Sequence, residues 1–386
     1  MHDVVIAGGG PGGLHAGACL ARRGYDVLIL EEHDEIGAPV HCTGVLAYEA
    51  IGEFGIDEAT VLNGLRTVRF YAPSGATVSY TTPGIEAVVI DRLRLDRGLA
   101  DTARSAGVRI RSGHRVTDVA LGPDAATVTI GDGTRIRARA CVLACGASYA
   151  IQRRLGLGLP RAFLQTAQAE VPCTHLHDVE VHFGSGCAPS GFGWAVPVER
   201  ADGAYVRVGV MSSRDAVGHF ARLLGALAET WGTSEPLVHG PRQKILPLAP
   251  IDRTFADRLL VLGDAAGLVK PTTGGGIYYS LVSAAIAADV LSEALASGDL
   301  RAETLCAYER RWRARLSGEL SAQSALRHAA DRLTDDEIEG LFELARTDGI
   351  MPIVRRTARF NHHRDLILAL FKHPPARKIL FRALAG

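Results

Sequence analysis

A chain of 386 residues and 41.0 kDa, 47% hydrophobic and 22% charged, has the composition of a folded globular protein of two or three units and excludes a disordered or fibrous one. Lysine plus arginine equals aspartate plus glutamate at 42 each, so no global charge draws the chain toward nucleic acid. Seven cysteines, at 19, 42, 141, 145, 173, 187 and 306, form no CxxC pair and suggest reduced thiols in a cytoplasmic protein rather than a disulfide scaffold.

Asp3-Val4-Val5-Ile6-Ala7 is a nearly continuous apolar run, the pattern of a strand buried on both faces, and its early start leaves no room for a signal peptide. It leads into Gly8-Gly9-Gly10-Pro11-Gly12-Gly13, an alanine-rich helix over Leu14–Arg23, and a second strand, Asp26–Leu30, ending in Glu31-Glu32. Gly8, Gly10 and Gly13 match GxGxxG between a strand and a helix. Gly8 permits the tight turn, Gly10 lets backbone approach a pyrophosphate, and Gly13 lets helix pack on strand. The helix N-terminus offers N–H groups to phosphate, and Glu31 is placed to accept hydrogen bonds from adenosine ribose hydroxyls. Strand, glycines, helix, second strand and acid stand in register, which predicts a dinucleotide site.

A second buried strand, Arg258–Leu262, ends in Gly263-Asp264. Thr273-Gly274-Gly275-Gly276-Ile277 and a long helix to Ser297 follow. This segment resembles the FAD-dependent oxidoreductases of the glutathione-reductase-like, hydroxylase-type superfamily. The resemblance implies that Asp264 binds the flavin ribityl chain, while Gly275, Gly276 and Ile277 open a helix facing the flavin pyrimidine. A helix N-terminus there would stabilise negative charge on reduced flavin. Asp91-Arg92-Leu93-Arg94-Leu95-Asp96 resembles the start of the superfamily's crossover helix, which puts Arg92 near the flavin; ordinary surface charge pairing explains it equally well. By the same resemblance, Val116 abuts adenine. Ala140–Ser148 resembles another cofactor strand, with Cys145 in place of the usual acid. No second GxGxxG lies between Gly146 and Gly263, so electrons come from transiently bound NAD(P)H or from a reduced carrier protein.

Ile36-Gly37-Ala38-Pro39-Val40-His41-Cys42-Thr43-Gly44 and Gly191-Phe192-Gly193-Trp194-Ala195-Val196-Pro197 narrow the family. Both resemble segments of the geranylgeranyl reductases, flavoproteins that saturate isolated prenyl double bonds. Phe192, Val196 and Met211 depart from that family's pattern, which puts the substrate in doubt. The resemblance implies that Cys42 and Thr43 pass beside the flavin and makes Cys42 a candidate catalytic acid, although a free cysteine often only packs. Phe192 and Trp194 share one strand face, and both core packing and lining an apolar substrate site account for them. His175, His177 and His182 lack the spacing of a metal site, and none is expected.

The expected fold is α/β: a discontinuous Rossmann-like FAD-binding domain (1–65, 88–155, 250–300), an antiparallel-sheet substrate domain (66–87, 156–249) and a C-terminal helical region (301–386). The apolar stretch from Ile277 is interrupted by Asp289 and Glu293 and makes a poor membrane span. From Met351 onward eight Lys/Arg face a single acid, Asp365. They interleave with Leu366, Ile367, Leu368, Leu370 and Phe371, and Pro374-Pro375 divides two short amphipathic helices. Such a surface suits peripheral contact with anionic lipid, and equally a solvated face of packed helices. The expected activity is reduction of prenyl C=C bonds by reduced FAD; a flavin monooxygenase and a non-catalytic flavin-bound lipid carrier are the alternatives.

Overall fold

The structure, a computed structural model, describes residues 1–233, 240–347 and 349–385; the side chains of 382–385, Arg382 and Leu384 among them, lie outside the described set. In chain order, β1 (His2–Ala7), α1 (Pro11–Ala21) and β2 (Val27–Leu30) open the cofactor sheet. Then come β3 (Val45–Ala47), α2 (Glu49–Glu53), β4 (Val61–Leu65), the hairpin β5 (Thr67–Tyr71) and β6 (Thr77–Thr81), and β7 (Ala87–Ile90). Helix α3 (Arg92–Ser105) returns the chain to the first sheet through β8 (Arg109–Arg111), β9 (Val116–Leu121), β10 (Ala126–Ile130) and β11 (Arg135–Leu143). After α4 (Ala150–Arg154) the chain builds β12 (Phe163–Pro172), β13 (Val179–His182), β14 (Phe192–Arg200), β15 (Gly203–Ser212), α5 (Ala216–Trp231) and β16 (Arg242–Pro247). The last strands are β17 (Phe255–Ala256) and β18 (Leu259–Val261). Helices α6 (Ile277–Ser297), α7 (Ala302–Ala330), α8 (Asp335–Arg346), α9 (Met351–Thr357), α10 (Arg364–Lys372) and α11 (Pro374–Ala385) complete it.

The first sheet runs β17-β18-β11-β1-β2-β8, and β9–β10 extends it from β11. Its central pairs, β18–β11, β11–β1, β1–β2 and β2–β8, are parallel. Every residue of β2 and the last four of β1 are buried, with α1 packed against them and Val119, Val128 and Ile130 of β9 and β10 in the same core; this is why both strands read as continuous apolar runs.

The second sheet has seven strands in the order β16-β12-β15-β14-β13-β5-β6. It is not wholly antiparallel as expected: β5 and β13 pair in parallel. The β5–β6 hairpin arrives from a separate insertion, and the α3 excursion through the cofactor sheet brings β13 back alongside it in the same direction. Alternation on β14 and β15 divides two cores. Ala195, Val206, Val208 and Val210 face α5, with Phe220, Leu223 and Trp231. Trp194, Val196, Val198 and Met211 face the other way, toward Val45, Leu62, Leu65 and Val89 of a small β3-β7-β4 sheet.

Helix α6 packs between α1 and α7 and is the one helix among the described residues long and apolar enough to cross a bilayer. The two acids that interrupt it pair outward, Asp289 with Arg23 and Glu293 with Arg311. The C-terminal helices fold back over α7, and the segment 358–363 between α9 and α10 reaches the loop that precedes α6. There Lys270 Nζ donates to Phe360 O at 3.1 Å and to Asn361 Oδ1 at 2.5 Å.

Candidate active site

β1 delivers the chain to Gly8, whose φ of +113° and the carbonyl of Ala144 leave no place for a side chain. At Gly13 a Cβ would sit on the carbonyl oxygen of Gly8. Gly10 differs: nothing lies within 4 Å of where its Cβ would be. Glycine at this position leaves an open approach for a ligand rather than fitting a packed contact. Helix α1 begins there with no side-chain cap and no acid in its first turn, so its N–H groups remain free for an anion. Glu31, at the end of β2, accepts from Gly9 N at 2.6 Å through Oε2. Val116 starts β9, two residues past His114, whose N–H donates to Glu31 O at 2.7 Å. Gly8, Gly10, Glu31 and Val116 therefore gather around one cleft, with Gly13 packed beneath Gly8.

Asp264 enters the same cleft from a short 3-10 turn after β18. Its backbone oxygen accepts from Tyr149 Oη at 2.7 Å. A Cβ at Gly276 would lie 2.6 Å from Asp264 Oδ1, so glycine there lets the helix start come up against the carboxylate. Gly274 N donates to Lys270 O and Lys270 N to Gly275 O, closing the turn that presents Gly275, Gly276 and Ile277. Helix α6 likewise has no side-chain cap and no acid in its first turn. From the opposite sheet, Lys244 Nζ stands 3.8 Å from Asp264 Oδ2.

Cys42, Thr43 and Arg92 meet where the two sheets join. Arg92 is not a surface residue: its side chain is only 14% exposed and holds Asp96 through Nη2 at 2.8 and 3.1 Å. Burial works against its charge, but Asp96 and the sulfur of Cys42 beside it hold it protonated, with its pKa raised. Its Nε is buried with no hydrogen-bond partner. Cys42 Sγ accepts from Gly44 N at 3.3 Å, and Thr43 Oγ1 donates to Gln168 Oε1 at 2.8 Å. One organising residue escaped the sequence analysis. Arg207 on β15, 6% exposed, donates through Nη1 to Thr43 O at 2.7 Å and Ile90 O at 3.0 Å. Its Nε donates to Glu170 Oε2 at 2.7 Å, and Glu170 also grips Arg200, which reaches Asp91. The signal was an arginine between valines, Val206-Arg207-Val208, at a strand position with a buried face.

Phe192 and Trp194 lie on one face of β14 with rings 6.0 Å apart, and Trp194 Nε1 is buried without a partner. His175 and His177 sit in an irregular segment before β13 rather than on a strand. His182 instead pairs with Glu180 at 3.1 Å. No cluster of metal-ligating side chains occurs among the described residues. Desolvation, then Lys244 and Arg242, push the pKa of His41 down.

The open side of Gly10, two uncapped helix starts, the glycine beside Asp264 and the unpartnered Nε of Arg92 fit FAD in this cleft. The fold and this site define an FAD-dependent oxidoreductase. Residues 3–332 match the family model described as lycopene cyclase protein. The chain is 31% identical to digeranylgeranylglycerophospholipid reductase of Methanocaldococcus jannaschii over 89% of its own length and 90% of that protein's. It is 30% identical to the protein of the same name from Methanothrix thermoacetophila, covering 90% and 92%. A geranylgeranyl bacteriochlorophyll reductase-like protein from Thermoplasma acidophilum has the same fold, with TM-score 0.85, 23% identity and 99% of both chains covered. PqsL, a probable FAD-dependent monooxygenase from Pseudomonas aeruginosa, shares the fold at TM-score 0.68 and 19% identity, covering 89% of this chain and 99% of that one. The chain belongs to the geranylgeranyl reductase family of FAD-dependent oxidoreductases.

Proposed function

We propose that this protein reduces isolated carbon–carbon double bonds in the prenyl chains of a lipid. The observation that carries the proposal is the bond from Thr43, beside Cys42, to Gln168, which lies next to Trp194 over Gly209 on the apolar face of the seven-stranded sheet. Reduced FAD, when bound, would supply a hydride, and the second hydrogen would arrive as a proton. Cys42 is the side chain placed to pass on that proton, with the Arg92 guanidinium beside its sulfur. An isolated alkene offers no carbonyl to spread developing charge, so Trp194 and Phe192 work by excluding water and fixing the chain. Gly8, Gly10, Gly13, Glu31, Val116, Arg92, Asp264, Gly275, Gly276 and Ile277 hold the cofactor, with Thr43 beside it.

In this proposal, segments 1–65, 88–155 and 250–300 serve the cofactor, 66–87 and 156–249 the substrate, and 301–386 covers both. Electrons come from NAD(P)H bound transiently or from a reduced carrier protein. Peripheral contact with the membrane through the basic C-terminal helices gives access to the lipid.

The test is anaerobic. Bound flavin is reduced with dithionite, and its reoxidation is followed as prenyl lipids are added. Substrate-dependent reoxidation with a product two hydrogens heavier is expected, slowed in Cys42→Ser with flavin content unchanged. Reoxidation only after air is admitted, with a product one oxygen heavier, would move the protein to the monooxygenases.

A further inference from the structure

Lys270, in the loop that leads to α6, is only 3% exposed. Its aliphatic stem lies against the turn that starts the helix: a Cβ at Gly275 would stand 3.5 Å from Lys270 Cδ. The backbone of the same residue closes that turn, donating from N to Gly275 O at 3.1 Å and accepting at O from Gly274 N at 2.9 Å. Among the described residues, the contacts of its ammonium are all neutral. They are Phe360 O, Asn361 Oδ1, and the rings of Phe360 and Tyr279 at 4.9 and 5.9 Å.

The two acids whose charge reaches Lys270 are engaged elsewhere. Glu49 Oε1 accepts from Asn361 Nδ2 at 2.8 Å, and Glu319 Oε2 accepts from the N–H groups of His363 and Arg364 at 2.9 and 3.1 Å. His362 stands between these acids, 3.7 Å from Glu49 and 3.9 Å from Glu319. An ammonium without a carboxylate partner away from water is costly. Burial lowers the pKa of Lys270 to about 8, while Glu319 and Glu49 oppose the fall. Its neighbour registers the charge, which adds to burial in pushing the pKa of His363 down. Packing does not account for the cost, because an apolar side chain of similar length fills the same place without it.

We infer that Lys270 is a positioning residue for the redox step, its buried ammonium placing a full positive charge behind the start of α6 that raises the reduction potential of the flavin. The inference rests on the placement of FAD against Gly275, Gly276 and Ile277 proposed above. A flavin that takes up two electrons from the donor and one proton gains one negative charge. A positive charge fixed in a water-poor site stabilises that product more than it stabilises the neutral oxidised ring. Helix α6 turns its own positive end the same way, with no acid in its first turn. Asp264 and Lys244, 3.8 Å apart on the cleft side of the turn, add contributions of their own and leave the sign of this one unchanged.

The test compares the FAD-loaded full chain with Lys270→Met and Lys270→Arg. Midpoint potentials are read against a reference dye during slow anaerobic reduction. At pH 7, Lys270→Met should move the reduction equilibrium at least about tenfold toward the oxidised form, about 30 mV lower for a two-electron couple. Lys270→Arg should recover most of that shift. The parent carries a second signature. Its potential should fall by about 30 mV per pH unit near neutrality, and more steeply above about pH 8, where reduction also returns a proton to Lys270. In Lys270→Arg the slope should stay single, because the guanidinium keeps its proton. A Lys270→Met potential within about threefold of the parent's equilibrium, or an equal fall in Lys270→Arg, overturns the inference and leaves the flavin site standing. If either variant emerges without flavin, the parent's slope decides: steepening above about pH 8 supports the inference, and a single slope overturns it. A parent protein that takes up no FAD overturns both the inference and the placement beneath it.

Discussion

Arg207 contacts both segments that present Cys42 and Arg92: it holds the carbonyl of Thr43 and that of Ile90, one residue before the Asp91 cap of α3. Replacing it with methionine removes two charge-assisted bonds to buried carbonyls and leaves Glu170 with Arg200 alone. The cost should be about 2–4 kcal/mol. Arg207→Met is expected to retain FAD, to speed alkylation of the Cys42 thiol, and to slow turnover more than it raises KM, with Arg207→Lys recovering part of each. An unchanged Cys42 alkylation rate would show that the loop stands without Arg207. Asp264 works on the other side of the cleft, against Gly276. Asp264→Ala should emerge from purification without flavin, and an unaltered flavin absorbance per protein would remove that residue from the site.

At the scale of elements, the segment 358–363 matters because it braces the turn that starts α6. His363 sits there between Thr272 Oγ1, 3.0 Å from Nδ1, and Phe360 O, 2.9 Å from Nε2. Burial, then the Lys270 ammonium, push its pKa down to about 4. The folded form therefore holds a neutral imidazole where the unfolded chain titrates near its ordinary value of about 6.5. Between those values the unfolded state binds more protons. The contribution is complete above about pH 6.5 and is lost as pH falls toward 4. His363→Gln should remove about 2 kcal/mol of the stability loss between pH 7 and pH 5, read from urea midpoints. Equal losses in both proteins would place the acid sensitivity elsewhere.

For the whole molecule, balanced net charge conceals a polarised surface. Arg364, Lys372, Arg377 and Lys378 are exposed on α10 and α11 together with Leu368 at 39% and Phe381 at 53%. Such a surface gains from anionic headgroups and apolar insertion together. The double substitution Arg377→Glu with Lys378→Glu should weaken co-sedimentation with anionic vesicles at least about tenfold and leave flavin content unchanged. Binding that is equal for both proteins, or equal on neutral vesicles, would mean these helices only pack on α7 and α8.

What the amino-acid order determined alone was local: glycines where backbone must pass close to backbone or ligand, an acid at a strand end, and apolar runs at strand or helix period. Gly8, Gly10, Gly13 and Glu31 stood out through one strand–glycine–helix–strand unit, whereas Asp264 stood out only through the family resemblance. Arg92 and Cys42 were legible as positions but not as a contact, since 50 residues separate them and only the junction of the sheets makes them neighbours. The two carbonyl contacts of Arg207 and the parallel β5–β13 pair were settled by tertiary structure. Each depends on which strand lies beside which and which face meets a helix, and long-range packing decides that where local propensity is silent.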